Sequence, residues 1–347
     1  MERKDILLKH SFWMKEMENI PVVLSSRVRL ARNLDSLPFP HILAAEEAHK
    51  IEENLARVLQ HIEVEKEKLS YLSLAELSTI EQQVLLEKHL ISPGLIKAGG
   101  SQGIALAQDH RCAVMVNEED HLRLQVLLPG NRLSETYGLA NILDDALEDK
   151  LDFAYKEVLG YLTACPTNVG TGMRASVMIH LPALALSNQV QQVLGTLTHL
   201  GLAVRGIYGE GSQAYGHIYQ VSNQITLGKS EEDIVVHLEA VTGQIVEREL
   251  QAREALFKQA QLSLEDKVWR ARGTLQNARL LTSEDAIQLL SIDKMGIDMG
   301  ILPQVKQKFA ALLVNSHPGS LQYNLDRELN PSQRDEQRAR LFREAMS

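Results

Sequence analysis

The chain has 347 residues, of which 44% are hydrophobic and 23% charged, with a formal net charge of −9. This size predicts one large domain and a smaller one, and the acidic balance argues against a nucleic-acid-binding surface. Two cysteines without a CxxC pair exclude a disulfide scaffold and a cysteine zinc site. Charges interrupt the N-terminal segment, and no apolar run reaches the roughly 18 residues of a membrane helix. We therefore expect no signal peptide and no membrane contact, and we predict a cytoplasmic protein.

Up to about residue 229, strand and helix patterns are mixed. β-branched residues followed by alternation predict a strand running into a turn at residues 20–33. Apolar positions at helical spacing predict helices across residues 43–90. Further strands are predicted at 103–107, 111–117 and 121–128, and a helix from Ser134 to Leu147 with Ser134 as its N-cap.

The pattern changes after Lys229. Before it come the strand-like segments ASVMIHLPAL, LAVRGIYG and HIYQVSNQ with a helix among them, and after it almost every segment has helical period. Breaks in the helical region are predicted near Gly273, Gly296–Gly300 and Pro318–Gly319. Mixed elements followed by helices alone predict an α+β domain with an appended helical domain.

Two arginines in the first strand predict an anion site. Arg27 and Arg29 are two apart in SSRVRLAR, so on a strand they project from one face and repel each other unless an anion lies between them. Phosphate suits the planar fork of arginine. The alternative is an ordinary solvated strand face.

Two loops hold residues that could act in catalysis or binding, and each also has an ordinary structural interpretation. The run from Asn117 to Arg123 holds three successive acids, which in isolation is typical of a solvated turn. In the segment from Cys165 to Arg174, two glycines flank Thr171 and would let main-chain N–H groups approach an anion. That segment could equally be a structural turn with a buried cysteine.

Two later segments are also candidates. The glycine spacing in residues 205–212 suits a mobile loop that closes over a ligand, although a plain surface loop has the same pattern. In residues 334–338, Arg334 and Arg338 share a helix face and could flank one anion, whereas the ordinary interpretation is a solvated helix end with local ion pairs.

Four of these motifs together resemble the phosphagen (guanidino) kinase family. VLSSRVRLAR, NEEDHLR, CPTNVGTGMRAS and VRGIYGEGS occur in the family's order and at similar spacing, and they span roughly residues 21–230. The resemblance implies a catalytic domain with a central antiparallel sheet flanked by helices at residues 1–250. An all-helical domain would occupy residues 251–347.

Within the family, the chain resembles the bacterial protein-arginine kinases. Phosphagen kinases have a helical domain before SSRVR, and its loop grips the free amino acid, whereas SSRVR here begins at Ser25 and a helical region follows the catalytic part instead. An arginine site open at that end would admit a polypeptide. The resemblance therefore implies phosphorylation of arginine side chains in proteins.

The resemblance also implies individual roles. The proposed clamp on the ATP phosphates comprises Arg27, Arg29, Arg123, Arg174 and Arg205, and His89 corresponds to a nucleotide-contacting histidine. Glu119 corresponds to the catalytic carboxylate, Glu210 to a second guanidinium-binding carboxylate and Cys165 to the active-site cysteine. An acid at Glu210 favours arginine over creatine as substrate. Mg²⁺ would be held through the nucleotide phosphates, with no metal ligands from the protein.

Further implications concern regulation and partners. RDEQRA resembles a motif of protein-arginine kinases that forms an allosteric phosphoarginine pocket, here from Arg334, Asp335 and Arg338. The expected partners are protein substrates that include a stress-gene repressor, a zinc-finger activator and Clp-type protease machinery. A homodimer is also expected.

Two other functions remain open at this stage. A free-arginine kinase that buffers ATP uses the same chemistry. A non-catalytic phosphoarginine-binding adaptor would need losses among the catalytic residues, and Glu119, Cys165 and Glu210 are all present.

Overall fold

The computed structural model describes residues 3–15, 22–206 and 215–346. The strands, in chain order, are β1 (Val23–Arg32), β2 (Glu63–Val64), β3 (Glu67–Lys68), β4 (Ser70–Ser73), β5 (Gly103–Leu106), β6 (Cys112–Val116), β7 (Leu122–Pro129), β8 (Tyr155–Lys156), β9 (Gly160–Tyr161), β10 (Met173–His180), β11 (Leu202–Gly206) and β12 (Ile218–Asn223). The helices are α1 (Arg3–Leu8), α2 (Ala45–Leu59), α3 (Thr79–Glu87), α4 (Pro93–Ala98), α5 (Leu133–Glu148), α6 (Pro182–Leu186), α7 (Val190–His199), α8 (Glu231–Asn277), α9 (Ser283–Asp298), α10 (Phe309–Asn315), α11 (Pro318–Asn324) and α12 (Pro331–Ala345).

A central antiparallel sheet organises the first part of the chain. Within the described residues it has eight strands in the order β11-β12-β10-β1-β7-β6-β5-β4. The central strand β1 pairs with β10 on one side and β7 on the other. The α+β class, with helices flanking an antiparallel sheet and a helical region after it, is therefore confirmed.

The two faces of β1 meet different surroundings, as its alternating sequence requires. Val28 and Leu30 point into the main hydrophobic core and are fully buried. Core side chains of α5 and α8 pack on this face of the sheet. Because side chains alternate along a strand, Arg27 and Arg29 lie on the opposite face.

Residues 43–90 are less helical than their spacing predicts. Helices α2 and α3 are present, but β2, β3 and β4 separate them. Glu65 and Lys66 both have positive φ, at 49° and 71°, which makes the tight turn of the β2–β3 hairpin. Helix α3 begins only at the capping box formed by Ser78 and Glu81.

Two details of the predicted helices were wrong. The N-cap of α5 is Arg132, while Ser134 lies inside the first turn and bonds the carboxylate of Glu239 through both its N–H and its hydroxyl. Helix α8 continues through Gly273, because a helical glycine costs only about 1 kcal/mol. Its interruption is at Ala260, with φ −143° and ψ 41°. The predicted break near Gly296–Gly300 is confirmed, since α9 ends at Asp298.

The end of α8 and the helices that follow it form a second hydrophobic cluster. Leu275, Leu290, Leu312 and Phe342 are buried in it, and Met178 and Ile218 reach it from the sheet. The C-terminal helices therefore pack directly on the central sheet. Within the described part of the chain, no helix is long and apolar enough to span a membrane.

Candidate active site

Polar side chains from five neighbouring strands meet on the face of the sheet opposite the core. Arg29 on β1 lies across from Gln125 on β7 and from Arg174 on β10, while Arg123 pairs with Ala31. The strands β11 and β12 add Arg205 and Gln220, which are opposite each other in register. The antiparallel register therefore gathers arginines that are far apart in sequence.

These side chains surround a cavity of about 410 Å³. Its lining comprises Arg27, Arg29, Leu86, His89, Ile91, Ser92, Pro93, Gly94, Lys97, Met115, Glu118, Arg123, Gln125, Arg205 and Gln220. Four of the five predicted clamp arginines are in this set. The fifth, Arg174, is close enough for its charge to act on Arg27 and Arg29.

The arginines in the cavity are buried among like charges, and one of their donors has no hydrogen-bond partner. Burial, with the charges of Arg123 and Arg174, lowers the pKa of Arg27 to about 10. Burial, together with the charges of Arg27, Arg123 and Arg174, lowers the pKa of Arg29 well below its usual range. The Nε of Arg29 is buried and has no hydrogen-bond partner. A buried unpaired donor among like charges is costly, and an anion in the cavity would satisfy it.

Glu118 is the carboxylate that faces the cavity. It forms an ion pair with Arg123 and accepts a hydrogen bond from Ser92, the N-cap of α4. Burial acts to raise the pKa of Glu118, but Arg123, Ser92 and Arg29 together outweigh it and lower that pKa. The sequence marked this acidic run but could not say which acid turns inward, because that depends on the positive φ of Asn117, 54°.

Glu119 lies beside the cysteine loop instead. Its side chain is partly exposed and hydrogen-bonds that of Cys165. Burial and then Asp120 raise the pKa of Glu119, against the lowering effects of Arg123 and the Cys165 bond. The Sγ of Cys165 is also 3.0 Å from the Oγ1 of Thr167. The structure thus brings together two predicted catalytic residues that are 46 positions apart (165 − 119).

The buried side-chain amide of Asn33 helps to connect the loop that holds Glu119 with the loop that holds Cys165. Asn33, at the end of β1, donates from Nδ2 to Oδ1 of Asp120 at 2.6 Å and accepts at Oδ1 from the N–H of His121 at 2.9 Å. The same oxygen of Asp120 accepts the N–H of Ala164 at 2.7 Å. Asp120 is therefore a support that fixes Glu119 relative to Cys165. Sequence reasoning missed both Asn33 and this role of Asp120.

The glycine-bracketed loop is packed inward. The N–H of Thr171 donates to the carbonyl of Thr226, and a Cβ on Gly170 would lie 2.5 Å from that carbonyl oxygen. Gly172 has a φ of 63°, and its Cβ would meet the carbonyl oxygen of Ala31 at 2.7 Å. In this conformation both glycines serve close backbone packing, and the N–H of Thr171 is not available to an anion.

His89 forms part of the cavity wall. It is buried in a left-handed conformation with φ 59°, and its carbonyl accepts a hydrogen bond of 2.8 Å from Nε2 of Gln125. Burial, Arg27 and His317 lower its pKa to about 3. The ring is therefore neutral near pH 7, as an aromatic surface beside the arginines.

Glu210, the predicted second guanidinium-binding carboxylate, lies outside the described residues, as does most of the glycine loop that follows Arg205.

The C-terminal arginines are arranged differently from the expected anion pair. Arg338 is 1% exposed and donates to the carbonyl oxygens of Ser316 and Leu281 and to Asp335, each at 2.7 Å. Arg334 donates to the carbonyl oxygen of Leu329 at 2.9 Å. In this conformation Arg338 ties α12 to the neighbouring loops rather than facing an open site. A phosphoarginine pocket formed by Arg334, Asp335 and Arg338 stays a prediction.

Buried arginines line a cavity on one face of an antiparallel sheet, with Glu118 in its wall, and this arrangement is typical of an enzyme that transfers phosphoryl groups. The family described as ATP:guanido phosphotransferase, C-terminal catalytic domain, matches residues 50–252. The protein-arginine kinase McsB C-terminal domain matches residues 261–347. The chain belongs to the ATP:guanido phosphotransferase family. The two matched segments are separated by residues 253–260, which lie within α8, as does residue 250, and the division at residue 250 stays a prediction.

Relatives match along nearly the whole chain. A protein-arginine kinase of Moorella thermoacetica is 48% identical over 345 residues, covering 98% of this chain and 99% of that protein. One of Geobacillus stearothermophilus is 46% identical, covering 97% and 93%. Among solved structures, a lombricine kinase has a TM-score of 0.58 at 25% identity over 70% of this chain and 71% of its own. A duplicated taurocyamine kinase of Schistosoma mansoni has a TM-score of 0.59 at 26% identity, covering 75% and 39%.

Proposed function

We propose that this protein transfers the γ-phosphoryl group of ATP to the guanidinium group of arginine side chains in proteins. The observation that carries the proposal is the arginine cavity with the unpartnered, buried Nε of Arg29. Membership of the ATP:guanido phosphotransferase family supports the reaction type. Relatives that match 97% or more of this chain are named protein-arginine kinases, which supports a protein substrate.

The cavity would bind the polyphosphate of ATP through Arg27, Arg29, Arg123, Arg174 and Arg205. Arginine forks suit phosphate oxygens, and each charge-assisted hydrogen bond is about twice as strong as a neutral one. In phosphoryl transfer, negative charge spreads over the equatorial oxygens, so fixed cations stabilise the transition state more than the ground state. The neutral ring of His89 would contact the nucleotide without adding charge.

The carboxylates would act on the acceptor. A guanidinium is delocalised and always protonated in water, so it is a poor nucleophile. Holding its planar fork in line with the γ-phosphorus can contribute on the order of 7–11 kcal/mol. We assign this alignment to Glu119 and Glu210 with Cys165 beside them, and the raised pKa of Glu119 suits a proton acceptor.

The proposed reaction replaces one bond at the γ-phosphorus with another. A guanidinium nitrogen forms a bond to the γ-phosphorus while the bond from phosphorus to the β–γ bridging oxygen breaks, and ADP leaves. The proton lost from the nitrogen passes to the carboxylate of Glu119. The cavity lining includes five cationic side chains and two amides but one carboxylate, a set that suits phosphate oxygens better than a metal ion. Mg²⁺ would therefore enter with ATP, held through the nucleotide phosphates.

The biological setting is proposed from family resemblance. We propose a cytoplasmic, dimeric enzyme of the bacterial stress response that marks proteins for Clp-type degradation and acts on a stress-gene repressor. A zinc-finger activator and regulation through phosphoarginine belong to the same proposal.

The test is analysis of the products by mass spectrometry under non-acidic conditions, because the N–P bond of phosphoarginine is acid-labile. With ATP and an unfolded protein, we expect phosphate on arginine residues. The matched substrate is the same protein with its arginines replaced by lysine, which should remain unmodified. Stoichiometric phosphoarginine from free arginine, without protein modification, would instead establish a phosphagen kinase.

A further inference from the structure

The C-terminal helices contact α3 at its last residue, next to the wall of the nucleotide cavity. Glu87 is 2% exposed, and its two carboxylate oxygens accept the N–H groups of Gly319 and Ser320 at 2.8 and 2.7 Å. Both donors belong to the first turn of α11, which begins at Pro318, so they have no acceptor within their own helix. Glu87 therefore supplies the N-terminal cap of α11 from another domain.

The fit at this contact is close. A Cβ on Gly319 would lie 2.6 Å from Cγ of Gln83 and 3.0 Å from Oε1 of Glu87. Gln83 also donates to Glu87 at 3.1 Å, which orients the carboxylate. Helix α11 consequently lies against α3 with no room for a side chain between them.

The chain that follows Glu87 is the cavity wall itself. The carbonyl of Lys88 accepts the indole N–H of Trp13 at 3.0 Å, and His89 lines the cavity in its left-handed turn. Gln125, another lining residue, holds the carbonyl of His89. A displacement of Glu87 would therefore also move His89, which lies two residues further along the chain and lines the cavity.

The C-terminal side of the contact is equally constrained. His317, which immediately precedes α11, is buried and is near enough to His89 for its charge to lower the pKa of that ring. The carbonyl of Ser316 is held at 2.7 Å by Nε of Arg338, so α12 fixes the start of α11. Packed backbone and hydrogen bonds thus connect α12, α11, the end of α3 and the cavity.

We propose that Glu87 is a positioning residue for nucleotide binding, through which the C-terminal helices set the affinity of the cavity for ATP. The proposal rests on the proposed function in that the cavity is taken to bind ATP. Without the carboxylate, two buried N–H groups would lack an acceptor, and α11 would shift away from α3. The turn at His89 would lose its support, while Glu119 and Cys165 would keep theirs from Asn33 and Asp120.

The test compares Glu87→Ala with Glu52→Ala in the full chain. Glu52 is also a buried carboxylate, 6% exposed, that accepts two hydrogen bonds, from Tyr71 and Ser73, but it lies on α2, which contributes no residue to the cavity lining. We expect Glu87→Ala to raise both the KM and the directly measured dissociation constant for ATP roughly 5- to 20-fold. The KM for the protein substrate should not change. Glu52→Ala should leave both ATP constants unchanged, and Glu87→Gln, with one acceptor oxygen, should recover part of the affinity.

A second variant guards against misfolding of the first. Gly319→Ala places a methyl group between the helices without touching the cavity, and it should weaken ATP binding in the same direction. Unchanged ATP binding in both Glu87→Ala and Gly319→Ala, or equal weakening in Glu52→Ala, would overturn the inference. Direct ATP binding to the unmodified protein separates the two proposals, because failure there contradicts the proposed function itself.

Discussion

Strand β1 carries buried arginines on both of its faces, and the two faces satisfy them in opposite ways. On the core face, Arg32 is fully buried and donates from Nε and Nη2 to Asp144, with Nη1 on the carbonyl oxygens of Ala31 and Thr171. Its guanidinium also stacks over the ring of Tyr161, 3.4 Å from the centroid. On the cavity face, Arg29 has an unpartnered Nε and three arginine charges near it.

The difference separates structural charge from functional charge. Burying a guanidinium is costly unless its donors are satisfied, and the core face provides the partners within the chain. The cavity face instead concentrates like charges and keeps a donor unused, which weakens the fold unless an anion binds. Arg32 therefore stabilises the fold, whereas Arg29, three positions earlier on the same strand, has a donor available to a ligand.

The largest expected effect is on stability. Arg32→Met leaves the carboxylate of Asp144 buried without its main partner, and we expect the free energy of unfolding to fall by about 3–5 kcal/mol. Urea denaturation at pH 7 measures it. The matched control is Arg29→Met on the same strand. Equal losses in the two variants would contradict the distinction between the two faces.

The next effect is on catalysis. Arg29→Met should lower kcat/KM by about 10²–10³, because it removes a fixed cation from the transferring phosphoryl group. The free energy of unfolding should stay the same or rise, since a buried like charge is removed. Steady-state kinetics on the folded variant provides the measurement. Retained activity together with lower stability would show that Arg29 is structural.

The next prediction concerns Glu119 and Glu118, the two carboxylates near the arginines. Glu119→Gln should lower turnover at least ~100-fold by removing the base. Because the pKa of Glu119 is raised, the base form is lost as pH falls through that raised value, so the acidic limb of the pH–rate profile should lie above the usual carboxyl range. Glu118→Gln should move that limb to lower pH without abolishing it, because the charge of Glu118 is one of the causes that raise the pKa of Glu119. Near-normal turnover in Glu119→Gln would contradict the assignment.

The smallest effect is the response to nucleotide. ATP at about 100 times its dissociation constant should stabilise the unmodified protein by about 2.7 kcal/mol, seen as a rise in melting temperature. ATP should stabilise Arg32→Met by a similar amount, although that variant has a lower free energy of unfolding without ATP. Arg29→Met should gain much less at the same concentration. Equal increments in both variants would place the nucleotide outside the cavity.

Much of the site could be predicted from sequence because its residues fall in short motifs on regular strands. Alternation in SSRVR placed Arg27 and Arg29 on one face, and the resemblance to guanidino kinases added Arg123, Arg174 and Arg205. Cys165 and Glu119 followed from the same resemblance, and the structure places them in contact. Their catalytic roles stay predictions until the variants above are measured.

Other features could not be read from local pattern. The inward turn of Glu118, the bridge through Asn33 and the cap that Glu87 provides for α11 each join residues separated by long stretches of chain. The spacing of Arg334 and Arg338 predicts a shared anion, and that site stays a prediction, whereas the bonds of Arg338 to two carbonyls and Asp335 could not be predicted. A motif on a helix face gives the spacing of its charges but not what packs against them.

The α+β class, the strand that carries the arginines and the chemical family follow from the amino-acid sequence, because alternation, helical period and motif spacing are local properties. Which donor in the cavity lacks a partner, which acid enters the cavity and where the C-terminal helices attach follow only from the folded structure. Those outcomes depend on the register of eight strands within the described residues and on the packing of α11 against α3, and both arise from contacts between distant segments.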